Sequence, residues 1–422
     1  MADIVSKISI TLLIMLIGYN LLKPFFSKDK SLIWSPITII SLCYIYYCIM
    51  PYVTGGSEMY HLTDSSASVL YNIGSLISYS SVLIAFNNSH GRSFTKWNNA
   101  IHEGNILRLS LIFFAIAFVC YSSFRGIHFS IAAKEDALEL VHSSFEHYFL
   151  EFLCLYEAAF ALLLICYKEK KKKIWLLLLM WYILVTFIFA GTRGRIVLMV
   201  ISACTVFYLY PRPKKMNYII VGSLAVMCYL GFAIMEYSRS YSKGIQMDKV
   251  AQMSMSDATK GAEENRSVYW FGSLIMDRYD RENRLIYLEP VLTAVCMPIP
   301  RAIFPWKPDG KYLDDAEMLC IGNNEGGAAF VFFVEGFMSL SWVGLILYSL
   351  FFGWLSKQFW SNYRNNPTSL GAITALALYS AVCYSIVARG YLASALDNFV
   401  YVVCMPFWIA MIDNKYFNKK NR

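Results

Sequence analysis

Charged side chains are scarce in this sequence. Asp, Glu, Lys and Arg make up 16% of its 422 residues, whereas soluble domains contain about 25%. Hydrophobic residues make up 57% and fall in continuous blocks close to the ~20 residues that cross a hydrocarbon layer. Because backbone groups in lipid must be satisfied internally, each block is predicted to be a helix. These features exclude a water-soluble globular domain and predict an all-α fold, a polytopic membrane helical bundle forming one domain over residues 1–422.

Several catalytic and binding motifs are absent as well. The sequence contains no G-x-x-x-x-G-K-[ST] loop and no H-E-x-x-H or G-x-S-x-G motif, which disfavours P-loop ATPases, metalloproteases and serine hydrolases. Its nearest substitute for a D-x-D metal motif is Asp314-Asp315. No metal site and no cofactor are therefore predicted. The net charge of +8 comes without a basic-aromatic motif, so no nucleic-acid partner is predicted either.

Cysteine pairs with metal or redox spacing are also missing. Nine of the eleven cysteines lie inside apolar blocks, where cysteine is usually a small apolar filler. Only Cys296 and Cys320 lie in a long polar region. A disulfide between them stays open if that region faces an oxidising compartment.

Eleven apolar segments are candidate membrane spans, at approximately residues 4–22, 33–53, 69–86, 106–124, 148–167, 174–190, 196–210, 217–235, 327–355, 369–388 and 396–412. One set of alternating connections carries nineteen Lys and Arg, and the short connections of the opposite set carry five. Because cytoplasmic loops are enriched in these residues, the first set is predicted to be cytoplasmic. The N-terminus then lies outside and the C-terminus in the cytoplasm.

A single large connection dominates the outer side. Residues 236–326 are predicted as one external loop, which is long enough to be exempt from the positive-inside bias. Within it, Leu285 to Ile299 is apolar but too short to span, so this stretch is interfacial or re-entrant. A second outer stretch, residues 131–146, is amphipathic and leads into the fifth span.

The first candidate site is the run Gly191-Thr192-Arg193-Gly194-Arg195, a very short outer connection between two spans. One interpretation is that Arg193 and Arg195 reach lipid headgroups by snorkelling. The other is that they line an outward-facing cavity and bind an anion, because Arg offers bidentate hydrogen bonds to phosphate. The flanking glycines let backbone N–H groups approach such a ligand.

The second candidate site is rich in proline. Five of the twelve prolines lie between residues 290 and 308, and proline fixes φ and disfavours regular structure. The segment is either a rigid surface turn or a rigid support that holds Arg301 and Lys307 over a site. In the second case, Trp306 is available to stack on a sugar ring.

Acidic residues at the edges of spans are the third group of candidates. Glu335 lies just inside the ninth span, and a carboxylate at membrane depth is usually functional or paired. It is either a general base or one partner of a structural ion pair with Arg. His147 and Glu151 lie four residues apart at the mouth of the fifth span and form a second, weaker base candidate.

In these features the chain resembles the Wzy-type O-antigen polymerases, in the oligosaccharide repeat unit polymerase family. The likeness consists of the number of spans and the dominant late outer loop, together with the Gly-Thr-Arg-Gly-Arg turn. The Ile-Pro-Arg and Phe-Pro-Trp-Lys-Pro runs and Glu335-Gly336-Phe337 complete it. Some members carry an R-x(10)-G pattern; here the residue eleven positions after Arg301 is Tyr312.

The resemblance implies a metal-independent glycosyltransferase without cofactor in a bacterial inner membrane, with a periplasmic N-terminus. Its substrate would be an oligosaccharide on undecaprenyl pyrophosphate, and a chain-length regulator protein and membrane lipid are further implied partners. Arg193, Arg195 and Arg301 would bind the pyrophosphate, with Glu335 as the base, and the 236–326 loop would hold saccharide. The implied substrate-binding residues are Arg239, Trp306, Lys307 and Arg389.

Three other functions remain open at the level of sequence. An O-antigen ligase would share the large outer loop and the lipid-pyrophosphate donor. A lipid-linked oligosaccharide flippase or another transporter would need no bond formation, although internal repeats and broken paired spans are not evident. A structural membrane subunit would leave the external arginines unexplained.

Overall fold

The computed structural model describes residues 2–53, 65–125, 151–169, 174–189, 193–214, 223, 239–240, 244–245, 263–297, 299, 303–308, 310–321, 329–388 and 390–417. Over these residues the fold is all-helical apart from one two-residue antiparallel pair, β1 (Arg239–Ser240) and β2 (Gly244–Ile245). The predicted all-helical class is confirmed. The outer stretch 131–146 and the span 217–235, apart from Ser223, lie outside the described residues.

The α-helices, in chain order, are α1 (Ala2–Phe26), α2 (Pro36–Tyr44), α3 (Met50–Val53), α4 (Ser65–Asn88), α5 (Thr95–Asn98), α6 (Ile106–Arg125), α7 (Leu155–Glu169), α8 (Ile174–Phe189), α9 (Arg193–Leu209), α10 (Glu263–Arg281), α11 (Glu289–Cys296), α12 (Lys311–Ile321), α13 (Phe332–Asn365), α14 (Leu370–Ala388), α15 (Leu392–Asn398) and α16 (Met405–Phe417). The π-helical turns Ile45–Ile49 and Phe399–Cys404 join α2 to α3 and α15 to α16. Short 3₁₀ turns occur at Leu32–Trp34 and Phe152–Cys154.

Helix length and composition identify a membrane protein. Among the described residues, six helical segments are long and apolar enough to cross a membrane: Asp3–Phe26, Pro36–Val53, Ala67–Asn88, Phe332–Asn365, Leu370–Ala388 and Leu392–Tyr416. Ile106–Ser122, Ile174–Phe187 and Gly194–Leu209 are apolar but shorter. Within the described residues these helices overlap predicted spans, and α7 covers most of the predicted fifth span. The total of eleven spans stays a prediction.

The helices form two compact units, and the first comprises Met1–Arg92, Glu263–Ser361 and Cys383–Asp397. Its core contains a cluster of buried aromatic rings. Tyr71 contacts both Tyr269 and Phe333, with ring centroids 4.7 and 5.1 Å apart. Hydroxyl groups in this core are paired across helices, as in the 2.8 Å bond between Tyr44 and Ser78, which satisfies polar atoms away from water.

Helix α10 belongs to this core, although its sequence lies in the region predicted as an external loop. The Tyr269 hydroxyl donates to the Asn72 side chain of α4 at 3.0 Å. A Cβ on Gly272 would lie 2.7 Å from the Tyr71 ring, so glycine permits the close approach of α10 and α4. The many charges of α10 concealed its apolar face in the sequence. The membrane side of residues 236–326 stays a prediction.

Helix α13 is interrupted near its start and reverses direction there. Leu340 and Ser341 have non-helical backbone angles, with φ of +53° at Ser341. A Cβ on Gly344 would lie 2.1 Å from the carbonyl oxygen of Gly336, whereas eight residues of continuous helix would separate them by about 12 Å. The chain therefore forms a short buried arm, residues 332–339, and a long arm, residues 342–365. The predicted ninth span is not one continuous helix.

The close contact at the α13 reversal yields a stability prediction. Gly344→Ala is expected to destabilise the protein by about 1–3 kcal/mol or more, because the added methyl group would overlap backbone that has little freedom to move. Gly18→Ala is the matched control, since a Cβ there meets no atom within 4 Å. Thermal unfolding of the detergent-solubilised protein measures both. Equal midpoints for the two variants would contradict the tight reversal.

The second unit comprises Ser93–Ala262, Asn362–Val382 and Asn398–Arg422. Asn98 and Asn362 exchange side-chain amide hydrogen bonds at 2.9 and 3.0 Å. The Trp97 and Phe407 rings stack with centroids 4.5 Å apart. Buried polar pairs of this kind fix the partners of neighbouring helices where apolar contacts alone are less specific.

Candidate functional site

Glu335 lies on the short arm of α13, in the first unit, and its side chain is fully buried. The Tyr312 hydroxyl donates a hydrogen bond to Oε1 at 2.6 Å. The backbone N–H of Leu392 donates to Oε2 at 2.7 Å. Both donors are neutral, so the contacts of the described residues do not include the Arg pair that the sequence left open. This carboxylate is held in place without a neutralising cation among those contacts.

Tyr312, at the start of α12, was not singled out as a functional residue in the sequence. It is almost fully buried. Burial, and then the neighbouring Glu335 carboxylate, raise the pKa of Tyr312 well above its usual range. Its phenol therefore stays protonated at neutral pH and keeps donating to the carboxylate. In the sequence Tyr312 was noted only as the residue that stands where the R-x(10)-G pattern has glycine.

Two helix starts meet beside this carboxylate. Gly390 has φ of +23°, and a Cβ there would lie 2.1 Å from the carbonyl oxygen of Phe330. Only glycine permits this approach, which brings the start of α15 against the start of α13. Helix N-termini carry partial positive charge and favour anions. The hydrogen bond from the Leu392 N–H places the Glu335 carboxylate at the positively polarised start of α15.

Arg195 forms the second cluster, in the second unit, near the start of α9. Its Nη2 lies 3.2 Å from Oε2 of Glu151, and its Nη1 lies 3.5 Å from Oε1 of Glu157. Nη1 also donates to the Asn398 side chain at 3.3 Å and contacts the sulfur of Cys154. The Arg195 side chain is 21% exposed. Arg195 therefore has several protein partners, and a phosphate would have to share the guanidinium with carboxylates.

The charges of this cluster are unequal. One guanidinium faces two carboxylates, and the Glu157 side chain is completely buried. Among the described residues, no hydrogen-bond partner reaches Oε2 of Glu157. Glu157 was missed in the sequence because it lies in the apolar run Leu155–Leu164. An acidic residue within such a run is costly to insert, and that cost was the available signal.

Glu151 and His147 had been weighed together as a possible base. Glu151 is an ion-pair partner of Arg195, and His147 lies outside the described residues, so their role as a base stays a prediction. The Arg195 guanidinium lies between the Glu151 and Glu157 carboxylates, in the place that a metal cation would need. Within the described ranges, no group of three or more His, Cys, Asp or Glu residues is arranged to hold a metal ion.

The proline-rich segment places its two candidates differently. Lys307 donates from Nζ to the backbone carbonyls of Met297 and Ile299, at 3.1 and 2.8 Å. It therefore fastens the segment to the end of α11. Trp306 is 81% exposed and contacts Phe304 edge-on.

Cys296 and Cys320 are free thiols, so the disulfide that the sequence left open is not formed.

Four predicted residues have no described side chain. Arg193 is the first residue of α9, and Arg239 pairs with Ile245 through the backbone of β1 and β2. The side chains of both lie outside the described part of the chain, as do Arg301 and Arg389 entirely. Their roles stay predictions.

Searches of family models, of curated proteins and of solved structures each find no match for this chain.

Proposed function

We propose that this chain joins undecaprenyl-pyrophosphate-linked oligosaccharide repeat units into O-antigen or a related surface polysaccharide. The observation that carries the proposal is the buried Glu335 carboxylate, held by Tyr312 and by the first N–H of α15. A carboxylate in a water-poor site is suited to accept a proton, and the two donors fix the orientation of its oxygens.

The reaction requires one bond to form and one to break. A hydroxyl oxygen of the incoming unit attacks the anomeric carbon of the growing chain, and the bond from that carbon to pyrophosphate breaks. Glu335 takes the hydroxyl proton, and undecaprenyl pyrophosphate leaves as an anion. In the proposal Arg193, Arg195 and Arg301 stabilise this anion, because guanidinium groups act strongly on developing charge away from water. Arg239 and Arg389 contact the substrate. Lys307 and Trp306, which the sequence also assigned to substrate binding, have other surroundings: Lys307 donates to the carbonyls of Met297 and Ile299, and Trp306 is exposed after α11.

The proposed setting is a bacterial inner membrane crossed eleven times. The N-terminus lies in the periplasm, the C-terminus in the cytoplasm, and residues 236–326 lie on the periplasmic side. The excess of Lys and Arg in the opposite connections supports this orientation. A reporter enzyme that is active only in the periplasm, fused within residues 246–262, would test it. Activity supports the orientation, and activity of a C-terminal fusion would contradict it.

A lipid-linked oligosaccharide transporter is the second candidate. The reversal of α13 at Leu340 and Ser341 favours it, because transporters bind substrates at broken helices whose N-termini face anionic groups. The same break suits a polymerase, since either protein must hold a lipid pyrophosphate near the membrane surface.

Deletion of the gene, followed by lipopolysaccharide profiling, separates the candidates. A polymerase deletion leaves single repeat units on the lipid core, and plasmid-borne protein restores the ladder. A ligase deletion leaves polymer on undecaprenyl. A transporter deletion leaves no repeat unit on the core, and an unaltered profile would contradict all three.

A further inference from the structure

An exposed apolar face runs along α11 and the segment after it. Leu288, Leu292 and Val295 recur at helical spacing and are exposed, as are Ile303 and Trp306 further on. The exposed fraction of Val295 is 61% and that of Ile303 is 73%. Pro290, Thr293 and Ala294 lie on the opposite face and are buried. Contiguous exposed apolar surface marks contact with another molecule or with a membrane.

Backbone hydrogen bonds hold the start of this apolar face next to the reversal of α13. The backbone N–H groups of Ile286 and Tyr287 donate to the carbonyls of Met338 and Ser339, both at 3.0 Å. These carbonyls end the short arm of α13. The long arm then runs sixteen residues from Ser341 to Lys357, about 24 Å. With the reach of the lysine side chain, this distance matches a hydrocarbon layer of about 30 Å.

The apolar face is continuous with the exposed apolar side of a candidate membrane span. Val343, Leu347 and Phe351 are exposed on one side of the long arm, which forms most of the candidate segment Phe332–Asn365. Their stripe begins within one turn of Ser341, and Tyr287 is bonded to the backbone of Ser339. The two apolar surfaces therefore meet where α13 reverses.

The ends of the face match a membrane interface. Tyr287 precedes the aliphatic residues and Trp306 follows them, both exposed, and these two residue types are enriched at interfaces. Helix α11 has eight residues and is about 12 Å long, too short to span. Lys307 satisfies the carbonyls of Met297 and Ile299 at the end of α11, as backbone near lipid requires.

We propose that the apolar face formed by Tyr287, Leu288, Leu292, Val295, Ile303 and Trp306 is embedded in the lipid interface of the bilayer and anchors this part of the chain to the membrane surface. The partner is phospholipid at the boundary of headgroups and acyl chains. Of the two alternatives for Leu285 to Ile299, interfacial and re-entrant, the structure favours the interfacial one. The proposal does not depend on the reaction that the protein catalyses.

The buried face of the anchor connects it to the candidate site. The Cγ2 atom of Thr293 lies 3.9 Å from the position of a Cβ on Gly310, and Gly310 precedes α12, which carries Tyr312. Gly310 has φ of +79°, which favours glycine at this turn. The buried face of the anchor therefore lies next to the turn that precedes Tyr312, whose hydroxyl donates to Glu335.

Depth-dependent fluorescence quenching tests the anchor. The full-length protein is reconstituted in vesicles of phosphatidylethanolamine and phosphatidylglycerol, with Val295→Cys or Ile303→Cys carrying a nitrobenzoxadiazole label. Glu282→Cys, an exposed polar position shortly before the face, is the matched control, and the unaltered protein gives the background from native cysteines. The labels at 295 and 303 should be quenched several-fold more by nitroxide lipids than the control label, and several-fold less by aqueous iodide.

Two outcomes would overturn the proposal. Iodide quenching at 295 and 303 equal to that of the control places the face in water. Protection from both quenchers means that protein covers it, either a second copy or another part of the chain. A measurement without cysteine labelling uses vesicles of brominated lipid: Trp306→Phe should remove part of the lipid-quenchable tryptophan emission, and an unchanged quenched fraction contradicts the anchor.

Discussion

Replacing Glu335 by Gln is expected to abolish the polysaccharide ladder while the protein still folds and inserts. The amide has the size of the carboxyl group but does not accept the acceptor's proton, and a general base contributes about 10²–10⁴-fold. Its oxygen can accept from the Leu392 N–H and its NH₂ group can donate to the Tyr312 oxygen, because a phenol accepts as well as donates. The ladder is measured on gels from the deletion strain at matched protein levels.

Asp413→Asn is the control for this prediction. Asp413 is a buried carboxylate in the second unit, and its Oδ2 lies 2.6 Å from Nη2 of Arg108. The substitution also removes a buried negative charge, but it leaves the Glu335 site unchanged, so the ladder should persist. If Glu335→Gln keeps a normal ladder, Glu335 serves only to cap α15 and the proposed base is wrong.

Arg195→Met is expected to destabilise the protein by about 3–5 kcal/mol, because it leaves buried carboxylates without their cation. Glu157 is fully buried and Glu151 is 18% exposed, so neither is well solvated. The polysaccharide ladder should also be lost. Thermal unfolding in detergent measures the first effect and gels measure the second.

A triple variant separates the two roles of Arg195. Arg195→Met combined with Glu151→Gln and Glu157→Gln removes the charges together and should recover most of the stability. The ladder should stay absent, because the lipid pyrophosphate has lost a guanidinium. Arg108→Met with Asp413→Asn is the matched control and should recover both stability and ladder. A normal ladder from the triple variant would make Arg195 a structural partner only.

The membrane helices could be predicted from the sequence because their hydrogen bonds are local. A helix satisfies its own backbone in lipid, so an apolar run such as Leu370–Ala388 reveals its structure without any partner. The reversal at Leu340 and Ser341 gave no such signal, since the run from 332 to 355 is apolar apart from Glu335 and three serines. It depends on the contact between Gly336 and Gly344, which composition does not show.

The candidate site was only partly predictable for a related reason. Glu335 and Arg195 stood out because a charge in an apolar setting is costly. Their partners did not stand out in the sequence, because Tyr312 is one of thirty tyrosines and Glu157 lies within an apolar run. Lys307 was predicted to contact substrate, yet the structure gives it backbone carbonyls as partners.

The sequence by itself determined that this is an all-helical membrane protein, because hydrophobic length and local hydrogen bonding are properties of each segment alone. Only the tertiary structure decided which donors hold Glu335 and which acids face Arg195. Tyr312, Glu335 and Leu392 are separated by 23 and 57 residues. Packing brings them together, through close backbone contacts at Gly390 and the reversal of α13 that no single segment encodes.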